Sequence, residues 1–225
     1  MTAAIAPGGQ GSGVTTQVEV WDWSSTLAAG AWASGGDLNA GRTNAGSSVQ
    51  GSNTATIVFG GYNPGTTGGV VLNELYNGTS WTEVGDLNNA RWSMSGFGIS
   101  TSAVAGAGCS PDSGTLVNHN ETYDGSTWTE ANDLNTERRA YSAAGATETS
   151  GIVFGGYSGS FNDETESWNG TSWTEVANLA AARGNGGAGT IGTTSLSLMA
   201  GGYPPPTTAT EEWATANVVK TVTVS

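Results

Sequence analysis

This sequence has almost nothing with which to grip a polyanion. Six basic residues stand against 19 carboxylates in 225 residues, the formal net charge is −13, and Lys220 is the sole lysine. Nucleic-acid phosphates and anionic membrane surfaces are held by clustered Lys and Arg, so neither is an expected partner. Cysteine is as scarce: Cys109 alone excludes an internal disulfide framework and any Cys-based zinc site. His119, the one histidine, excludes multi-histidine metal chemistry, and neither metal nor cofactor is expected. No run approaches the ~18 apolar residues of a membrane helix. Met1–Pro7 has neither a basic n-region nor a long apolar stretch, so no Sec-type leader and no membrane insertion are expected.

What is present is small, polar and aromatic. Gly (36) and Pro (6) together make about 19% of the chain, below the share that marks structureless low-complexity sequence. Nine Trp are enough to build a core. A surface of Ser, Thr, Asn and Gly with hardly any Lys is of the kind carried outside cells, and without a leader it hints at a virus particle.

Self-comparison shows a repeat, which decides the fold class before any single residue does. Glu74-Leu75-Tyr76-Asn77-Gly78-Thr79-Ser80-Trp81 recurs as Glu121-Thr122-Tyr123-Asp124-Gly125-Ser126-Thr127-Trp128 and as Glu166-Ser167-Trp168-Asn169-Gly170-Thr171-Ser172-Trp173. Weaker copies start at Glu19 and Glu211. Six residues after the second Trp comes a Leu and four later an Arg: Trp32, Leu38, Arg42; Trp81, Leu87, Arg91; Trp128, Leu134, Arg138; Trp173, Leu179, Arg183. An apolar run ending in a Gly pair and Tyr follows, as in Ile57-Val58-Phe59-Gly60-Gly61-Tyr62, Ile152–Tyr157 and Leu198–Tyr203. Val104–Gly108 is a degenerate version, and Ile5–Gly9 reads as a further copy. Units of approximately 1–41, 42–90, 91–137, 138–182 and 183–225 result, forming one domain over 1–225.

Each unit reads as four short strands. Asn-Gly or Asp-Gly between β-rich flanks predicts a two-residue type I′ hairpin joining the third and fourth strands. In that register Glu74 faces Trp81, with Tyr76 diagonal to it. The Ile-Val-Phe run is a buried second strand, with glycines where a neighbouring backbone comes close. The small-residue stretch after each Arg suits an innermost strand, and no sustained 3.6 period predicts a helix. A four-stranded sheet of this size buries both faces only when neighbours stack on it, and a ring of such sheets is a β-propeller. The order Arg, Gly-Gly, Glu-x-Tyr/Trp, Trp resembles the kelch repeat, with Asp86-Leu87-Asn88-Asn89-Ala90-Arg91 standing at the kelch loop and arginine. Departures are the four-residue gap between aromatic and Trp and the lost Gly pair of the Val104–Gly108 copy. The expectation is an all-β propeller of kelch-like four-stranded blades, five in number. The tail Val218–Val224 alternates like a strand that either completes the last sheet or crosses to the first; closure by a neighbouring subunit, a homo-oligomer, is the alternative.

Periodic residues are read first as scaffold. Trp21, Tyr76, Tyr123, Trp168 and Trp213, with Trp32, Trp81, Trp128 and Trp173 and with Tyr62, Tyr157 and Tyr203, occupy repeat positions and are expected to be wedges between sheets. Arg42, Arg91, Arg138 and Arg183 are expected to pair with the repeat glutamates Glu19, Glu74, Glu121, Glu166 and Glu211 rather than to form a ring for an acidic ligand. The off-register Trp23, Trp92 and Tyr141 are the candidates for binding through surface contacts. Cys109 and His119 fall in a long connection between Gly108 and Asn120, and Asn162-Asp163-Glu164 lacks the ligand alternation of a calcium loop. Asn77, Asn120 and Asn169 match a glycosylation pattern, which turn chemistry already explains for the Asn-Gly pairs. Tyr123–Trp128 resembles a sialidase Asp box but lacks the residue between Asp and Gly, and one His cannot supply a galactose-oxidase-like copper site. No catalytic residue is expected.

Kelch-like chains of this Gly/Thr/Asn-rich kind resemble proteins encoded by bacteriophages, marine ones in particular. That resemblance implies a virion component, tail or fibre-associated, whose rim loops contact other virion proteins or the glycan or protein of a host surface. The rims are where unit length varies: 63–70, 109–120, 158–162 and 204–209. The alternatives are a lectin, a cytoplasmic kelch-type interaction adaptor and, third, a glycan hydrolase with a carboxylate pair at one rim.

Overall fold

The computed structural model describes residues 31–66, 68–111, 114–189 and 193–215, and the strand backbones at 4–7 and 18–22, with side chains from residue 33 onward. Trp23 and the tail 216–225 lie outside the described residues. The chain is all-β: no helix occurs among the described residues, and none there is long and apolar enough to cross a membrane.

Strands β1 (Ala4–Pro7), β2 (Val18–Asp22) and β3 (Ala31–Ser34) form a three-stranded antiparallel sheet. β4 (Gly46–Ser47) and β5 (Thr56–Phe59) begin the next, which a small ribbon of β6 (Tyr62–Asn63) and β7 (Gly68–Gly69) interrupts before β8 (Asn73–Tyr76) and β9 (Trp81–Val84) complete the order β4-β5-β8-β9. The third sheet is β10 (Ser95–Ile99), β11 (Ser102–Cys109), β12 (Leu116–Tyr123) and β13 (Trp128–Ala131). The fourth is β14 (Ser142–Thr147), β15 (Ser150–Phe154), β16 (Thr165–Trp168) and β17 (Trp173–Glu175). The last has three strands, β18 (Gly187–Ala188), β19 (Leu196–Ala200) and β20 (Thr210–Ala214). The first strands β4, β10, β14 and β18 of successive sheets lie against one another. This is a β-propeller-like arrangement of antiparallel sheets, in which the small residues after each arginine let the first strands approach.

Two local expectations are corrected. The hairpins are four-residue turns, not two-residue ones: Tyr76 stands directly opposite Trp81, Tyr123 opposite Trp128 and Trp168 opposite Trp173. The turn's first side chain takes over the backbone's work, since Asn77 Oδ1 accepts the N–H groups of Thr79 and Ser80 at 2.9 and 3.0 Å, an Asx turn needing only one left-handed residue. That residue is Gly78, at φ +96°. Direct opposition brings the ring centroids of each pair to 4.9–5.2 Å.

The second correction concerns the Gly pair. It follows the second strand instead of lying in it, and both members are left-handed: Gly60 and Gly61 at φ +57° and +108°, Gly155 and Gly156 at +65° and +110°. The third unit keeps this geometry with Ala107 and Gly108 at +48° and +111°, so its pair is not lost but begins with alanine. The second member donates to the carbonyl of the next unit's arginine: Gly61 to Arg91 at 3.0 Å, Gly108 to Arg138 at 2.8 Å, Gly156 to Arg183 at 2.9 Å.

Between sheets the aromatics act as wedges. Trp128 meets Phe59 edge-on at 5.0 Å within a cluster of Ile57, Leu87 and Tyr123. Phe97 meets Trp173 at 6.3 Å, beside Val104, Leu134 and Val153. A wedge hiding roughly 200 Å² of apolar surface contributes at most about 5 kcal/mol.

Candidate ligand-binding face

The repeat arginines and glutamates meet inside the sheets. Arg42 pairs with Glu74 at 2.8 Å, Arg91 with Glu121 at 2.8 Å, Arg138 with Glu166 at 2.6 Å and Arg183 with Glu211 at 2.8 Å. Arg91, Arg138, Glu121 and Glu166 are fully buried. Burial pulls the Arg91 guanidinium below its ordinary value, while the Glu121 carboxylate pulls it back up. These cations are committed to the scaffold and leave no open ring of positive charge. Glu19 and Trp32 carry no described side chains; their register positions, Glu19 opposite Ser34 and Trp32 opposite Trp21, continue the pattern.

Sequence reasoning missed the third member of each clamp. Three residues before the arginine, Asn39 donates its backbone N–H and its Nδ2 to Glu74 Oε2, both at 2.7 Å, and Nδ2 also to the Trp81 carbonyl. Asn88 and Asn135 do the same for Glu121 and Glu166, reaching the Trp128 and Trp173 carbonyls. The signal was the recurrent Leu-Asn-x-x-Arg; in the last unit Ala180 replaces the Asn and only its N–H reaches Glu211, at 2.6 Å. The clamp ties the connector entering each sheet to that sheet's third and fourth strands. Trp81, Trp128 and Trp173 are buried at these junctions.

Tyr141 is not a surface residue. It is buried, its hydroxyl donates to the Gly106 carbonyl and accepts the Ser95 N–H at 3.1 Å, and burial pushes its pKa up to about 12. It ties the fourth unit to the third. Trp92 is half-buried, with Nε1 donating to the Ser110 carbonyl at 3.2 Å.

A further revision concerns Tyr62, Tyr157 and Tyr203. They do not wedge sheets apart. Just past each left-handed pair the chain forms a bridge with the residue following the arginine: Thr43 with Tyr62, Trp92 with Cys109, Arg139 with Tyr157 and Gly184 with Tyr203. Among the described residues these bridges extend the first two strands of the last four sheets at one end, where Tyr62, Trp92, Arg139, Tyr157 and Tyr203 stand. There Tyr62 packs edge-on against Trp92 at 5.5 Å, and Phe161 contacts Tyr157 and Tyr203, each at 5.4 Å. The Arg139 guanidinium lies over the Tyr157 ring at 5.1 Å, an attraction between cation and π-face. Burial raises the Cys109 thiol, and its contact with Arg139 opposes that rise. The five rings are partly exposed, Tyr203 by 50%. Arg139 forms no ion pair among the described residues.

Other candidates are placed elsewhere. Cys109 and His119 lie in paired strands β11 and β12 and not in a loop. His119 borders an open polar cleft of about 310 Å³ with Asn89, Glu130, Asn132 and Asp133. Its carboxylates are already engaged: Glu130 accepts Asn89 Nδ2 at 2.8 Å and Asp133 accepts the Asn120 N–H at 3.2 Å. Glu164, of the would-be calcium stretch, reaches Arg138 at 3.3 Å. Among the described residues no group of three His, Cys, Asp or Glu side chains could hold a metal.

No protein-family model matches the chain, and no curated protein matches it. Among solved structures, one described as "Structure of YjhT" superposes with a TM-score of 0.70 at 15% identity, covering 89% of this chain and 69% of that one. At that identity the likeness is one of fold, and it agrees with the propeller-like arrangement of sheets.

Proposed function

We propose that this chain is a non-enzymatic binding module: one five-bladed, kelch-like propeller whose face of Tyr62, Trp92, Tyr157, Phe161, Tyr203 and Arg139 docks a partner. The observation that carries this is a division of labour among the chain's few cations and many rings. Four arginines are consumed in buried clamps, while the fifth and five aromatic rings gather on one partly exposed face. Tyr, Trp and Arg are the residues that dominate binding energy at recognition surfaces. The length-variable stretches 63–70, 109–120, 158–162 and 204–209 follow those same bridges, so variation and aromatic surface share one end of the sheets.

Together with the exterior-type composition and the resemblance to phage kelch-like chains, this favours a tail or fibre-associated virion protein that contacts a host surface or a neighbouring virion protein. Mass spectrometry of purified particles of the source virus should then find the chain; its absence refutes the virion assignment. Immobilised protein should bind host envelope preparations or virion neighbours, and Trp92→Ala with Tyr203→Ser should weaken that binding at least tenfold with an unchanged thermal midpoint. Equal binding by the double variant refutes the face.

A further inference from the structure

We infer that Asn77 and Asn169 are sites of self-conversion to aspartate, each driven by groups that its own hairpin turn supplies. Both side chains are exposed, and each stands directly before a glycine, Gly78 or Gly170. Glycine has no Cβ to shield its nitrogen from the preceding side chain, so the nucleophile is built in. Among the described residues neither the Gly78 nor the Gly170 N–H donates a hydrogen bond, and each is free to give its proton to solvent.

The electrophile is prepared as well. Asn77 Oδ1 accepts the Thr79 and Ser80 N–H groups at 2.9 and 3.0 Å, and Asn169 Oδ1 accepts those of Thr171 and Ser172, both at 2.9 Å. Two N–H groups on one carbonyl oxygen stabilise the negative charge that grows there when its carbon is attacked. The Gly78 nitrogen, its proton lost to water, bonds to Asn77 Cγ. The Cγ–Nδ2 bond then breaks, and Nδ2 takes a proton from solvent and leaves as ammonia, giving a cyclic imide. Water adds next at Cγ, whose oxygen the same N–H groups polarise; the Cγ–N bond breaks and the Gly78 nitrogen recovers its proton. The product is aspartate in an unbroken main chain. Water attack at the main-chain carbonyl of residue 77 would leave isoaspartate, with an extra methylene in the main chain between the directly opposed Tyr76 and Trp81.

The third hairpin shows the product already in place. Asp124 stands at the same position and accepts the Ser126 and Thr127 N–H groups at 2.8 and 2.9 Å and the Ser126 hydroxyl at 2.9 Å. A carboxylate makes stronger, charge-assisted bonds to those groups than an amide does, so conversion tightens the turn. Completed at both sites, it adds two negative charges to a chain at −13.

Asn185 is an internal control. It is exposed and precedes Gly186, but it is left-handed at φ +55° and no N–H meets its Oδ1 among the described residues. The freshly prepared full chain is incubated at mildly alkaline pH, folded and in concentrated urea. Peptide maps are read by mass spectrometry with electron-transfer fragmentation, which separates aspartate from isoaspartate. In the folded chain Asn77 and Asn169 should convert about fivefold faster than Asn185, the effect of one hydrogen bond gained in the transition state, and yield mainly aspartate. In urea the three sites should convert at one rate, with isoaspartate in excess. The Asn77→Asp/Asn169→Asp double variant should melt no lower than the parent. Folded-state conversion at 77 and 169 that is no faster than at Asn185 overturns the inference. So does isoaspartate as their main folded-state product, or a lowered midpoint in the double variant, whose turns would then not hold the product.

Discussion

Replacing Arg91 with alanine removes one half of an ion pair that no water reaches. Arg91 donates from Nη1 to Glu121 Oε1 at 2.8 Å and from Nη2 to the Ala105 carbonyl at 2.9 Å, and both residues of the pair are 0% exposed. The stranded carboxylate keeps Asn88 and the Asn89 N–H but loses the one counter-charge it has among the described residues. Breaking a buried pair from one side costs roughly 3–5 kcal/mol, because the remaining charge cannot recover its hydration. For a chain of this size each kcal/mol moves the midpoint by about 2–4 °C, so a drop of roughly 6–20 °C is expected. Arg183→Ala should cost nearer the roughly 0–1 kcal/mol of exposed pairs, since the Glu211 side chain is 25% open to solvent. Arg91→Met combined with Glu121→Gln should recover at least half of the single-variant loss, by removing the charge that Arg91→Ala abandons. Urea unfolding followed by tryptophan fluorescence, with the m-value unchanged, reads all three. An unmoved Arg91→Ala midpoint, or one equal to that of Arg183→Ala, would refute the argument that burial sets the cost.

Other outcomes follow from the same geometry. Tyr141→Phe should lose about 1–3 kcal/mol, because the Ser95 N–H and Gly106 carbonyl lose their partner. Its phenol titrates near 12 when folded and near 10 when unfolded. Its stabilising contribution is therefore complete below about pH 10 and lost as pH rises towards 12, and ultraviolet titration of the variant should lack the latest tyrosine. Asp124 is held down to about 2 by the backbone N–H of Thr127 first and that of Ser126 second. A lowered carboxylate contributes stability above its unfolded value and loses it as pH falls through the folded one. Acid unfolding between pH 4 and 2 should thus be shallower in Asp124→Asn than in the parent, and no difference would contradict the turn. Gly155→Ala should destabilise by about 1–3 kcal/mol in thermal melts, since residue 155 sits at φ +65° and a Cβ there would fall 2.3 Å from the Arg183 carbonyl.

The all-β class, the succession of small antiparallel sheets and the Arg–Glu pairing were legible in the sequence, because they depend on spacing along the chain. A polar pair recurring at a fixed offset amid apolar strands has few ways to be satisfied, and one solution serves every unit. The Asn of Leu-Asn-x-x-Arg was as periodic as the Arg and was legible in principle; its role was missed because an amide carries no charge to demand a partner. Hairpin length was not legible. Asn-Gly serves a two-residue turn through backbone angles or a four-residue turn through the Asn side chain, and only packing of Tyr76 directly against Trp81 selects between them. Nor could periodicity tell wedge from surface. Tyr62 and Tyr76 repeat equally well, yet one lies past a left-handed pair on an open face and the other between sheets. Trp92 and Tyr141 both broke register, and tertiary structure alone made the first half-exposed and the second a buried tie to a neighbouring sheet. Spacing decides which residues recur together; exposure depends on which neighbouring sheet, if any, stands in front of them, and that is a property of the assembled fold.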